Sequence, residues 1–98
     1  MITINIKENE ILIKGHAEYD VHGSDIVCAS VSSIVMTSIN NIIAIDNKAI
    51  KYIENDGLIK IEKLNDNECA KKILDNLVRM LEELRVQYPK NIKIEKRN

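Results

Sequence analysis

Two alternating runs at the start of the chain do most to restrict its fold. Met1 to Lys7 carries Ile2, Ile4 and Ile6 at every second position, and Ile11 and Ile13 resume the pattern up to about Gly15. A period of two puts successive side chains on opposite sides of a strand, so one face of each run is apolar and meets a core. Glu8-Asn9-Glu10 between them reads as a turn, which makes a hairpin. A second pair follows, Ala49 to Glu54 and Leu58 to Leu64, around Asn55-Asp56-Gly57. An Asp-Gly pair between alternating runs is a good hairpin signal.

Between the hairpins the period changes. From about Asp25 to Ile45, Val31, Val35, Ile39 and Ile42 recur at helical spacing, with Ser30, Ser33, Thr37 and Asn41 on the other side. Many residues here are β-branched, which opposes helix on propensity. Length and the polar stripe still favour one long helix, ended by Asp46-Asn47-Lys48. Its apolar arc is wide. After the second hairpin, Asn65 and Glu68 resemble a capping box. Ala70, Ile73, Leu74, Leu77, Leu81, Leu84 and Tyr88 give the stripe of a second helix, which Pro89 stops. Asn91 to Glu95 adds a short strand. The order ββαββαβ, with hairpins rather than crossovers, predicts an α+β fold. Its sheet is mainly antiparallel, with two helices packed on one face.

Ninety-eight residues suffice for one domain with a modest core, here residues 1–98. The chain has no Trp or Phe, so Ile, Leu and Val fill that core. A formal net charge of −1 argues against a nucleic-acid binder. A small basic cluster remains at Lys93, Lys96 and Arg97. The first residues do not form a signal peptide, and no window holds the roughly 18 continuous apolar residues of a membrane span. Cytoplasmic location and two free thiols, Cys28 and Cys69, are the expectation. No CxxC pair suggests structural zinc.

The chemistry concentrates in GHAEYDVHGSDIVCAS, which begins at Gly15. A helix starting at Asp25 puts Cys28 in its first turn, where unpaired backbone N–H groups favour a thiolate. His16 ends a strand, and the loop from Ala17 to Ser24 can fold back to bring it near. Imidazole, thiol and helix N-terminus are the parts of a nucleophilic cysteine site, in which the Cys28 N–H and loop N–H groups could hold an oxyanion. The plainer alternative is core filling, because Cys28 shares a helical face with Val31, Val35 and Ile39. A metal site of His16, His22 and Cys28, with Asp20 or Asp25, is a weaker alternative. Asp25 reads as a cap or first-turn residue. Ser32 lies one turn beyond Cys28. Cys69, early in the second helix, has no histidine near it in sequence and reads as structural or inert.

Gly15-His16-Ala17, followed by Gly23-x-Asp25-Ile26-Val27-Cys28-Ala29-x-Val31-Ser32, resembles the ribosomal-processing cysteine protease family, Prp. The length and the ββαββαβ order extend that resemblance over the whole chain. It implies a cysteine endopeptidase that removes the N-terminal extension of large-subunit ribosomal protein twenty-seven during ribosome assembly. His16 and Cys28 match the catalytic dyad, and Gly23, Asp25 and Ser32 match other positions of the motif. It further implies a loop, Tyr19 to Ser24, that orders over substrate, and a homodimer, which suits the wide apolar arc of the first helix. The resulting expectation is a ribosomal protein precursor as partner, with no cofactor, metal, direct nucleic-acid contact or membrane. One departure is Ser30, where the family more often has alanine. The alternative is a non-catalytic, ribosome-associated dimeric binding module.

Overall fold

The computed structural model describes residues 1–15 and 24–97, the side chains of residues 24 and 25 excepted. The elements run β1 (Ile2–Ile6), β2 (Glu10–Lys14), α1 (Ser24–Ile45), β3 (Ile50–Asn55), β4 (Leu58–Lys63), α2 (Glu68–Gln87) and β5 (Ile92–Lys96). The five strands form one sheet in the order β3-β4-β2-β1-β5. Every pairing is antiparallel except β1 with β5, which is parallel. That one parallel pair arises because α2 carries the chain back across the sheet before β5.

Register decides which residues are buried. Ile4 pairs with Ile13, Ile11 with Ile61, and Ile13 with Ile59. Ile2 and Ile4 lie beside Ile92 and Ile94. This isoleucine face meets both helices in a single core. α1 contributes Val27, Val31, Val35, Ile39 and Ile42, and α2 contributes Ala70, Leu77 and Leu81. Burying each of the larger side chains is worth roughly 1.5–3 kcal/mol, enough to hold a β-branched sequence helical against its propensity. The opposite face is polar, with Lys60 between Glu10 at 3.4 Å and Glu62 at 3.0 Å.

By length and average composition, Ile26–Ile45 would also suffice to cross a membrane, with a mean hydropathy of 1.7. Reading for an unbroken apolar run misses this, because serines, a threonine and asparagines interrupt it. Its valine and isoleucine stripe is the core stripe just described, so here it serves as the central helix of a two-layer fold.

Two element starts differ from the sequence reading. α1 begins at Ser24, one residue early. α2 is capped by Asn67, whose side chain accepts from the Ala70 N–H at 2.9 Å. Asn65 instead accepts from the Asn67 N–H at 3.0 Å and donates to Asp46 at 3.1 Å. The Asp46 carboxylate also accepts from the Lys48 N–H at 2.9 Å and from the Asn67 side chain at 3.3 Å. One carboxylate thus ties together the end of α1, the approach to β3 and the start of α2. These bonds favour its ionised form and hold the Asp46 carboxyl below its ordinary value, the Lys48 amide contributing most and Asn65 next.

Candidate active site

The β3–β4 hairpin turns on Asp56 and Gly57, and Gly57 has φ of +76°. No non-glycine among the described residues has a positive φ, so Asp56 keeps a negative one. The turn therefore has the sign pattern of type II, with glycine at its second central position. Its tip is tied to the end of β2, where the Gly15 N–H donates to the Gly57 carbonyl at 2.9 Å. Gly15 has φ of +104°, and a Cβ there would collide with the carbonyl oxygen of Met1. Only glycine fits this point.

Above these two glycines passes the first part of α1. Between helix and hairpin lies a cleft of about 530 Å³. Its lining includes Ile2, Ile13, Gly15, Cys28, Ser32 and Glu54. Cys28 is half-buried and packs against the core while also facing the cleft, and its thiol is free. Cys28 thus touches the core on one side and borders the cleft on the other. Ser32, one turn on, is exposed on the same cleft wall. Ser30, the departing position, donates its hydroxyl to the Ile26 carbonyl at 2.8 Å, a bond within the helix.

The early helix start changes one detail. Cys28 is the fifth residue of α1, so the i→i−4 pattern directs its N–H to the Ser24 carbonyl. The unpaired N–H groups lie one turn earlier, at Ser24, Asp25 and Ile26. The Cys28 N–H is therefore not a free oxyanion donor, contrary to the expectation from a helix starting at Asp25.

His16, Gly23, the loop from Ala17 and the metal alternative's Asp20 and His22 lie outside the described residues. Asp25 is the second residue of α1. What the structure brings to one cleft is Cys28, Ser32 and Gly15, the residue immediately before His16. Cys69 lies elsewhere, exposed in the first turn of α2. The wall supplied by Glu54, Asn55 and Asp56 was not foreseen in the sequence. Only the pairing of β4 with β2 brings that hairpin to the cysteine, and the one local signal was its Asp-Gly turn.

Residues 1–93 match the model of the family described as cysteine protease Prp. The chain belongs to that family. It is 31% identical over 103 residues to the ribosomal processing cysteine protease Prp of Staphylococcus aureus, an alignment covering 96% of this chain and 97% of the relative. Two crystal structures of the S. aureus ribosomal processing protease Prp superpose closely. One, with a substrate peptide, has a TM-score of 0.91 at 26% identity, covering 99% of this chain and 100% of the other. The other, with a covalently linked product peptide, has a TM-score of 0.89 at 27% identity and the same coverage. The α+β sheet with two helices is thus the fold of Prp, and the chain is a cysteine protease by family.

Proposed function

We propose that this Prp protein is a cysteine endopeptidase that removes the N-terminal extension of large-subunit ribosomal protein twenty-seven during ribosome assembly. His16 and Cys28 act as its catalytic dyad. The observation that carries this reading is the position of Cys28, half-buried on one side and facing the cleft on the other, with Gly15 in the same lining. Gly15 is the residue that precedes His16 in the sequence. The relatives support it too, since the S. aureus proteins are named for ribosomal processing and have been crystallised with substrate and product peptides.

The chemistry follows from the groups. His16 takes the Cys28 proton, and the sulfur attacks the scissile carbonyl carbon. The carbon–nitrogen bond then breaks as His16 returns the proton to the leaving amine. This leaves a thioester on Cys28, which water hydrolyses with His16 again as base. Gly23 and Asp25 are supporting residues of the site, and Ser32 binds substrate on the cleft wall. The first-turn N–H groups of α1 face the end of the helix where an oxyanion can be held. The protein acts in the cytoplasm as a single domain of residues 1–98 and as a homodimer.

The test is to incubate purified protein with its host's unprocessed ribosomal protein and read the products by mass spectrometry. The parent yields one cut at the extension, and Cys28→Ala yields none. Equal cleavage by Cys28→Ala overturns the reading.

A further inference from the structure

One edge of the sheet is open beside the cleft. Among the described residues, β3 pairs with β4 alone. The Leu64 N–H donates to the Ala49 carbonyl at 2.8 Å, and the ladder runs from Ile50 opposite Lys63 to Asn55 opposite Leu58. In an antiparallel pair, bonding toward the neighbour alternates along the strand. Ala49, Lys51, Ile53 and Asn55 therefore direct their backbone groups to β4. Ile50, Tyr52 and Glu54 direct theirs outward, to the open edge.

The side chains of those same three residues face the helix layer, because Tyr52 lies opposite Ile61 and Glu54 opposite Ile59, both in the core. Ile50 is buried there, yet Tyr52 is 40% exposed and Glu54 is exposed. Exposure rises along β3 beyond Ile50, and among the described residues this leaves a ledge with unpaired backbone groups on its rim and Tyr52 on its floor. At its far end Glu54, Asn55 and Asp56 form a wall of the cleft that holds Cys28. The other edge strand differs. β5 contributes nothing to that cleft, and Lys96 ties it to Glu82 of α2 at 2.7 Å.

We propose that the substrate peptide docks as an added strand on the open edge of β3, its backbone pairing with Tyr52 and Glu54 and running on to Cys28. This rests on the peptidase reading of the cleft. Strand addition obtains affinity from backbone bonds and specificity from alternate side chains. Here every second peptide residue faces the ledge, and an apolar one packs on Tyr52. The inward position nearest Glu54 takes a basic or hydrogen-bond-donating side chain, since that carboxylate has no ion pair among the described residues. The residues between point to solvent and are free to vary.

The experiment uses Cys28→Ala, so that binding is read without cleavage. The probe is a labelled synthetic peptide spanning the extension junction of the ribosomal protein precursor, N-methylated at one residue at a time. Fluorescence anisotropy gives each affinity. Strand addition predicts losses of roughly three- to tenfold per bond at alternate positions and little change between them. Glu54→Pro removes an outward N–H but no β3–β4 bond, which an edge strand tolerates, and it weakens the unmethylated peptide by a similar factor. A flat or non-alternating profile overturns the proposal. If Glu54→Pro melts early, the methylation profile decides alone. A flat profile with a Glu54→Pro that changes the sedimenting mass overturns it too, assigning the edge to a second copy. Cleavage of the unmethylated peptide by the Cys28 protein is measured separately. Alternation without cleavage removes the peptidase reading and keeps the docking strand, and cleavage with a flat profile does the reverse.

Discussion

The Gly15 N–H reaches the Gly57 carbonyl across 2.9 Å, joining the strand end that leads to His16 to the hairpin tip that walls the Cys28 cleft. Both residues have positive φ, and Gly15 has the Met1 carbonyl where a side chain would go. Gly15→Ala is therefore expected to cost at least about 2 kcal/mol, from backbone strain together with the displaced N-terminal strand. Urea unfolding measures the loss. Cleavage assayed well below the new melting temperature should still fall, because the strand end no longer fixes where the next residue leaves it.

Ser32 is exposed on the cleft wall and packs against little, so Ser32→Ala should shift folding stability by no more than about 0.5 kcal/mol. If its hydroxyl meets the substrate, kcat/KM falls roughly three- to tenfold, the worth of one hydrogen bond. Steady-state cleavage of the precursor, beside a thermal melt, separates the two effects. An unchanged kcat/KM removes Ser32 from the substrate contacts.

Asp46 gives a pH signature independent of catalysis. Its carboxyl is held low by the Lys48 amide and by Asn65. A depressed folded value means that the stabilisation is present above the unfolded value and lost as pH falls through the folded one. Asp46→Asn should therefore be less stable than the parent near neutral pH. The two should converge as pH drops below the usual aspartate range, about 3.9 and under. Urea midpoints across that interval check the sign. A difference that grows on acidification contradicts the bonding pattern.

The fold was legible because its apolar residues keep strict time. Ile2 and Ile4, Ile11 and Ile13, and Ile59 and Ile61 alternate without a break, and each pair lands on the buried face. Val27 to Ile42 held a helix despite unfavourable propensity, since five buried side chains on one stripe outweigh a few tenths of a kcal/mol per residue. Helix starts were less legible. Asn65 and Asn67 are both good caps by composition, and they differ only in which amide each side chain meets in the folded chain, Ala70 for Asn67 and Asn67 for Asn65. Of the cleft lining, Cys28 and Ser32 stand one turn apart in the motif, as helical spacing requires. The Glu54 wall was not, because it depends on a long-range strand order that no local pattern encodes.

That choice between asparagines is itself testable. Asn67 accepts from the Ala70 N–H, satisfying one of the unpaired donors at the start of α2, whereas Asn65 makes only exposed side-chain bonds before the helix begins. Asn67→Ala should cost about 1 kcal/mol, as helix caps do. For a chain near 100 residues that is a fall of roughly 4–8 °C in Tm. Asn67→Ser keeps an uncharged acceptor at the start of the helix without setting a second carboxylate beside Asp46, and should recover most of the loss. Asn65→Ala should cost less than Asn67→Ala. Thermal melts of the three variants under one buffer condition check the order. Should Asn65→Ala prove the costlier, the cap lies two residues earlier, and the helix start described above is wrong.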